Sequence, residues 1–455
     1  MNRLHISLFL LPLVGACADR TRPGLPARHC ILVTVAGMRA DHTSMYLYPR
    51  DTTAVHVDGG QHALGRALGL DDLAEQAVLF ANAFAPSADP IASLAAVHTG
   101  RSPLETGISA DGDGLPTDGK LLAERMRELG FQSAAFVTHE TELDASWQRG
   151  FDHFARYTSD FDTLGQALNW VGEHDYGTGQ PTLVWLHLNA PAFPFEPKAA
   201  PAGNSGTQDF AQRYGDPAYD GAADGTQAYR EQHAQAEVMS STADRERITA
   251  LYDGEVAMTT HLLFAFLDFF RYAGEPAGVW EESLFVFAGT NGVELFRRPG
   301  RWGETRSLGD ETIRVPLFIR HPDSLTGRRV LSQVVQLQDL YPTLIEFFGG
   351  EVDAGLQARS LLALTDRDHA VAFMDRPAIA ILGDQISGEG TLRDGGMRSV
   401  RDAEWHWIEE RAADGTVRVE LYKVTEDPYE LRNLAEREPE RVVAMRAAFE
   451  SASHD

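Results

Sequence analysis

Cysteine is scarce in this sequence, which excludes disulfides as its main support. Only Cys17 and Cys30 occur among the 455 residues. Cys17 lies in an N-terminal segment that is interpreted below as a lipidation site, so Cys30 has no partner within the chain. Because Cys30 begins an apolar, strand-like run, we expect it to be buried as a small hydrophobic side chain.

Positive charge is also scarce. The chain has 40 Lys and Arg residues against 66 Asp and Glu residues, which gives a formal net charge of -26 and a pI near 5.0. This imbalance argues against nucleic acid and anionic lipid headgroups as partners of the folded body. A solvated acidic surface is the simplest interpretation, and a cationic partner is the alternative.

The N-terminal apolar run is too short to be a membrane-spanning helix. The segment MNRLHISLFLLPLVGACADR has Arg3, then apolar residues, then small residues before Cys17, a pattern typical of a signal peptide over residues 1–16. Its end, Val14-Gly15-Ala16-Cys17, resembles a bacterial lipobox, which implies lipidation of Cys17. We therefore expect a lipid-anchored protein of the bacterial cell envelope, at the outer membrane facing the periplasm. A plain exported protein with a chance cysteine is the alternative.

The body of the chain alternates strand-like and helix-like segments. Residues 17–28 are expected to be a tether, and from CILVTV onward apolar strands alternate with amphipathic helices. Such alternation predicts a largely parallel sheet with helices on both faces, and ligands in such sheets bind at the carboxyl ends of the strands. Residues 198–246 are rich in Ala, Gly, Asp, Gln and Ser, and are interpreted as a surface insertion that is either a lid or a loose loop.

The C-terminal part has a different pattern. EWHWIEE and RVELYKV flank the turn ADGT and predict a hairpin, and PERVVAMRAAFESA predicts a helix. Residues 355–455 are therefore expected to form a small α+β subdomain with an antiparallel sheet, after a larger α/β domain over residues 29–354.

Several motifs of the chain resemble those of one enzyme family. They are TVAGMRAD, YPRDTT, FANAFAPSADPIASLAAVHTGRSP, WLHLNAPAFPF, YDGEVA, FAGTNGVE and LYKVTEDPYELRNLA, in that order. In sequence and order they resemble the sulfatases of the alkaline phosphatase superfamily, and the resemblance covers nearly everything after the tether. It implies an α/β/α sandwich that hydrolyses sulfuric esters with a calcium ion and a formylglycine nucleophile.

The positions that match the family's metal ligands lack carboxylates. The resemblance places Ala36 and Gly37 where the family has Asp after the first strand, and Thr290 and Asn291 where it has Asp followed by His or Asn. Asn291 retains one neutral oxygen. Because calcium requires several hard oxygen ligands, we predict that the calcium site is lost and that no cofactor is bound.

The positions that match the family's catalytic groups are also altered. Pro90 stands at the nucleophile position, Leu94 at that of an arginine, and Ala192 at that of a histidine, while Glu304 or Thr305 matches a lysine or histidine. None of these side chains can attack a sulfate or bind its charge in the family's manner.

Other side chains could still line a pocket. Asp89 before Pro90 is predicted to cap a helix and to replace the anion that the family binds at that helix N-terminus. His187 lies on an apolar strand, where a buried core histidine is favoured over a pocket residue. His42, His98 and His139 lack carboxylate partners at any recognisable spacing, and Arg39 with Asp41 is expected to lock the first turn.

The sequence thus favours a membrane-anchored pseudo-sulfatase that binds an unknown protein or small-molecule ligand without turning it over. An active sulfate or phosphate ester hydrolase with a rebuilt site is the alternative. A structural envelope protein without a pocket ligand is a third possibility.

Overall fold

A computed structural model describes residues 28–454 with gaps. The residues that it leaves out within this range are 56–68, 109–112, 140–142, 175–178, 199, 202–206, 234–240, 273–278, 299–300, 304–306, 322–324, 326–328, 366–372, 374–375 and 384–394. The predicted signal peptide, most of the tether and Cys17 lie outside the described residues.

The described strands are β1 (His29–Val35), β2 (Val78–Phe84), β3 (Gln132–Thr138), β4 (His153–Tyr157), β5 (Thr182–Leu188), β6 (Ala200–Pro201), β7 (Thr207–Gln208), β8 (Ser283–Gly289), β9 (Leu317–Arg320), β10 (Arg329–Gln336), β11 (Ala378–Leu382), β12 (Met397–Arg401), β13 (Trp405–Arg411) and β14 (Val417–Lys423). The described α-helices are α1 (Leu70–Ala74), α2 (Pro90–Thr99), α3 (Pro103–Thr106), α4 (Leu122–Glu128), α5 (Asp160–Glu173), α6 (Gln227–His233), α7 (Thr242–Tyr272), α8 (Asp310–Ile313), α9 (Leu340–Phe347) and α10 (Pro439–His454).

In the described part of the chain, eight strands form the main sheet, in the order β10-β2-β9-β8-β1-β5-β3-β4. All neighbouring pairs are parallel except those of β9, which runs antiparallel to both β2 and β8. The predicted largely parallel sheet is thus confirmed, with β9 as the reversed strand.

Strand β1 shows why the sheet is buried on both faces. Its side chains alternate, so Ile31 and Val33 pack on one face while Cys30 and Leu32 pack on the other. Helices α5 and α7 cover the first face, and α2, α4 and α9 cover the second. The result is the expected α/β/α sandwich, and Cys30 is fully buried as predicted.

A second, four-stranded antiparallel sheet follows in the order β11-β12-β13-β14. The predicted hairpin is β13 and β14, and the predicted helix is α10. One face of this sheet packs against α10 through Trp407 and Phe449, and the other packs against the main domain through Ile408 and Phe84.

The described residues between 209 and 233, within the predicted insertion, pack more closely than a loose loop. Phe210 is fully buried, and Ala223 and Tyr229 join the main core. Helix α7 already begins at Thr242, inside the predicted insertion. Within the described residues, every helix is too short or too polar to cross a bilayer.

Candidate functional site

The parallel strands bring the metal-equivalent positions to one edge of the sheet. Strand β1 lies between β5 and β8, and Val35 is in register with both Leu188 and Gly289. The N–H of Thr290 donates to the carbonyl of Val35 at 2.8 Å. Ala36, Gly37, Thr290 and Asn291 therefore meet at the carboxyl ends of adjacent strands, as the sequence predicts.

The oxygen of Asn291 is already used within the protein. Its Oδ1 accepts a hydrogen bond from the N–H of Gly37 at 3.1 Å and another from the hydroxyl of Thr290 at 3.1 Å. Its Nδ2 donates to the carbonyl of Gly292 at 2.9 Å. The side chain is buried, so its hydrogen bonds hold two strand ends together instead of facing a ligand.

Gly37 leaves no room for the carboxylate that the family places nearby. Its φ is +71°, and a Cβ built on it would lie 2.6 Å from both Cα and N of Ala192. Its carbonyl accepts a hydrogen bond from the hydroxyl of Tyr252 at 2.8 Å. The backbone around Ala192 therefore fills the space beside the first strand.

These four positions do not fit a calcium ion. Calcium takes about six to eight oxygen ligands in proteins, whereas Ala36 and Gly37 have no side-chain oxygen. The hydroxyl of Thr290 donates a hydrogen bond to the amide oxygen of Asn291. We use the name closed crevice for this place, defined by Ala36, Gly37, Ala192, Thr290 and Asn291.

At the nucleophile position, Pro90 is the first residue of α2. Oδ1 of Asp89 accepts hydrogen bonds from the N–H groups of Ile91 at 2.8 Å and Ala92 at 3.1 Å, so the predicted helix cap is present. Leu94, at the arginine position, is fully buried in the apolar core. Glu304 and Thr305 lie outside the described residues.

Cations near the closed crevice are held by carboxylates. The guanidinium of Arg39 donates to both oxygens of Asp41 at 2.9 Å, which is the predicted lock, and to Oε2 of Glu311 at 3.0 Å. Arg297 also pairs with Asp41. Although burial alone would raise it, the pKa of Asp41 is held well below its usual range by Arg39 and Arg297. These arginines therefore stabilise the turn.

His42 has a carboxylate partner that no recognisable sequence spacing indicated. Its Nδ1 lies 2.8 Å from Oδ1 of Asp253, which is far away in the sequence, on α7. The other oxygen of Asp253 accepts hydrogen bonds from Tyr48 at 2.8 Å and from Arg50 at 2.6 Å. Asp253 thus joins the first turn to the long helix, and its partners are too distant in sequence for a spacing rule to find.

Two other histidines are core residues. The ring of His98 packs against that of Trp185 with centroids 4.1 Å apart, and burial lowers its pKa to about 3. Nδ1 of His187 lies 3.0 Å from the hydroxyl of Thr34, and burial, with a contribution from His139, lowers its pKa to about 3. His187 is therefore a neutral, hydrogen-bonded core residue and not the pocket residue that the sequence allowed.

A cavity of about 470 Å³ lies next to the closed crevice. We call it the acidic cavity, because Asp160, Glu196 and Glu255 line it together with Lys198. Ala192 belongs to both places. The sequence analysis missed the acidic cavity. The signal that could have found it is the pair of carboxylates in the YDGEVA segment, Asp253 and Glu255, because acidic residues in a helix that covers the sheet are candidates for a buried polar site.

Comparisons with known proteins agree with this architecture. The family model Sulfatase matches residues 28–350, and the model N-sulphoglucosamine sulphohydrolase, C-terminal, matches residues 300–448. Arylsulfatase K of Xenopus laevis is 29% identical over 142 residues, which are 30% of this chain and 26% of that protein. Arylsulfatase K of Danio rerio is 32% identical over 135 residues, 30% of this chain and 24% of that protein. The aligned part thus spans about a quarter of the length of these curated relatives.

Solved structures share the whole fold. Phosphonate monoester hydrolase of Agrobacterium radiobacter superposes with a TM-score of 0.64 at 18% identity, covering 92% of this chain and 96% of that chain. A protein solved in complex with its substrate D-glucosamine-2-N,6-O-disulfate gives a TM-score of 0.67 at 16% identity, covering 93% and 97%. Identities this low show the fold alone. With the family model matched over residues 28–350, the chain belongs to the sulfatase family.

Proposed function

We propose that this sulfatase-family chain is catalytically inactive and acts by binding, from a lipid anchor at Cys17. The observation that carries the proposal is the packing at Gly37, where the backbone of Ala192 occupies the space that a carboxylate side chain would need. A metal ligand cannot enter there without moving the main chain.

The remaining positions support the same conclusion. Pro90 has no nucleophilic atom, Leu94 is buried in the apolar core, and the nearby arginines are paired with carboxylates. Loss of a single electrostatic donor costs an enzyme about 2.7–4 kcal/mol in its transition state. Loss of the nucleophile and the cation as well removes most of the acceleration that stable esters require.

The test is a paired measurement of metal content and turnover on the purified chain. We expect much less than one calcium or zinc ion per chain, and no hydrolysis of an aryl sulfate or an aryl phosphate above the uncatalysed rate. Stoichiometric metal together with turnover would contradict the proposal and would favour an active ester hydrolase with a rebuilt site. Activity that separates from the chain on a second chromatography column would come from a contaminating hydrolase and would not count as turnover.

The anchor rests on residues 14–17, Val-Gly-Ala-Cys. If Cys17 is acylated, the chain partitions into the detergent phase of a Triton X-114 extraction, and Cys17→Ala moves it to the aqueous phase. A chain that is aqueous in both forms would contradict the anchor and leave the proposal of inactivity unaffected.

A further inference from the structure

The acidic cavity lies where α5, α7 and the segment after β5 meet. Asp160 is the first residue of α5, Glu255 lies on α7, and Glu196 and Lys198 come from the chain that follows β5. Its volume, about 470 Å³, is within the range of pockets that bind small organic molecules. Two of its carboxyl groups are nearly buried, since Glu255 is 4% exposed and Asp160 is 8% exposed.

Asp160 is fixed by the backbone. The N–H of Asn189 donates to its Oδ1 at 2.9 Å, and the N–H of Ala190 donates to its Oδ2 at 3.0 Å. These bonds attach the start of α5 to the segment that also carries Ala192, so the carboxylate is held in place before any ligand arrives.

Glu255 has an oxygen that the protein leaves without a partner. Its Oε2 has no hydrogen-bond partner in the described structure. Buried polar atoms are nearly always satisfied. Several side-chain atoms of the described residues are exceptions, and Oε2 of Glu255 is the one among them that belongs to a residue lining the acidic cavity. Oε2 is closed off from solvent as the side chain stands, so a ligand in the acidic cavity would reach it after a rotation of the Glu255 side chain and would then supply the missing bond.

The walls suit the hydrocarbon part of such a ligand. Phe161, Phe193, Met258 and Leu262 line the cavity, and Phe161 is 68% exposed. Aromatic faces attract organic cations as well as apolar groups. The guanidinium of Arg230 lies 4.8 Å from the ring centroid of Phe193, which leaves the Phe161 ring as the more available face.

We infer that the acidic cavity binds a small organic cation, a molecule with a primary ammonium group on an apolar body. This inference rests on the proposed binding function and names its ligand class. The ammonium would donate to Oε2 of Glu255 and neutralise the charge that Asp160 and Glu255 share, and the apolar body would lie along Phe161. The polarity is opposite to that of the anionic esters that the family model implies.

A bare metal ion fits this place poorly. Within the described residues, the only group of three His, Cys, Asp or Glu side chains with ligand atoms within 4.8 Å of one another is Asp310, His406 and Glu430, which lies elsewhere. The carboxyl groups of the acidic cavity form no such group, and both oxygens of Asp160 already accept backbone hydrogen bonds.

The cation should also change the protonation of Glu255. Burial, and then the charge of Asp160, raises the pKa of Glu255 to about 8. Asp160 on α5 and Glu196 and Lys198 after β5 are the charged groups that face it. Near pH 7 the free protein therefore holds a proton there that an ammonium would displace, so binding should release a proton and tighten as the pH rises to about 8.

The experiment is calorimetry on the purified full chain with three probes of one shape, namely phenethylamine, 2-phenylethanol and phenylacetate. At pH 8 we expect the amine to bind at least tenfold more tightly than the alcohol, and the carboxylate not to bind. At pH 7, titrations in two buffers with different ionisation enthalpies should show proton release.

Variants make the test specific. Glu255→Gln should weaken amine binding at least tenfold and abolish proton release, whereas Glu173→Gln, an exposed change on α5, should do neither. Equal affinity for amine and alcohol, unchanged binding in Glu255→Gln, or displacement of the amine by stoichiometric CaCl₂ would each overturn the inference. If the chain binds the amine and also hydrolyses aryl sulfate, only the proposed inactivity is contradicted. If the chain neither binds the amine nor hydrolyses the ester, only this inference is contradicted.

Discussion

The closed crevice and the acidic cavity are neighbours that share Ala192, but they differ in whether their polar atoms have hydrogen-bond partners within the protein. In the closed crevice, Asn291 bonds to Gly37, Thr290 and Gly292 within the protein. In the acidic cavity, Oε2 of Glu255 is buried without a hydrogen bond. An unsatisfied buried group destabilises a fold. The comparison therefore indicates that the polar residues of the closed crevice contribute to stability, whereas Glu255 in the acidic cavity is available for binding.

The largest expected effect comes from replacing Glu311, the buried carboxylate that pairs with Arg39 near the closed crevice, and comparing the loss with that of the same change at Glu255 in the acidic cavity. Glu311 is fully buried and pairs with Arg39 at 3.0 Å and Arg298 at 3.5 Å, so Glu311→Gln should lower the free energy of unfolding by about 3–5 kcal/mol. Glu255 forms no ion pair among the described contacts, so Glu255→Gln should cost little. Urea denaturation of both variants measures the difference, and equal losses would mean that the ion-paired carboxylate and the unpaired one contribute alike to stability.

The pH dependence of stability gives a second test of the state of Glu255. The pKa of Glu255 is raised from its ordinary 4.5 to about 8 by burial and by Asp160. Between these values the unfolded chain loses the proton while the folded chain keeps it, so the wild-type protein loses stability as the pH rises through this window. Relative to wild type, Glu255→Gln should therefore gain about 1–3 kcal/mol between pH 5 and pH 8 in the ligand-free protein. A difference that stays constant with pH would contradict the assignment.

The next effect concerns space in the closed crevice. Gly37→Ala should destabilise the protein by about 2–5 kcal/mol, because its Cβ would meet the backbone of Ala192 and because φ is positive. Gly107→Ala is the matched control, since its φ is +72° and nothing lies within 4 Å of the added Cβ. That variant should lose only about 1–2 kcal/mol. Similar melting temperatures for the two variants would mean that the crevice has room after all.

The smallest effect concerns the cap of α2. Asp89→Ala should lower the free energy of unfolding by about 1 kcal/mol because it frees the N–H groups of Ile91 and Ala92. Asp89→Asn keeps an acceptor oxygen and should lose less. The melting temperature and the amide hydrogen exchange rates of Ile91 and Ala92 measure the effect. Unaltered melting of the alanine variant would remove the capping role.

The sequence predicted the features that depend on local pattern. The alternation of strands and helices indicated the parallel sheet, the family resemblance placed Ala36 and Thr290 at strand ends, and the Asp89-Pro90 pair marked the start of α2. Strands β4 and β10 were missed because HFARY and RVLSQVVQ mix polar with apolar residues. In both strands some side chains are exposed, so the apolar run that identified β1 is absent.

Contacts between segments that are distant in the sequence could not be predicted from the spacing of residues. His42 and Asp253 are 211 residues apart, and the acidic cavity combines α5 with α7 and the chain after β5. The hydrophobic periodicity of one segment does not predict which carboxylate of a distant segment will pack against that segment. Such pairs appear only when the helices are packed on the sheet.

One turn of α7 touches both regions. Tyr252 accepts a hydrogen bond from the N–H of Arg39 at 2.9 Å and donates one to the carbonyl of Gly37 at 2.8 Å. Glu255 lies three residues further on, on the same side of the helix. A small movement of this turn on ligand uptake would thus be transmitted to the loop after β1. The closed crevice would then respond to occupancy of the acidic cavity, and amide exchange at Gly37 would measure that response.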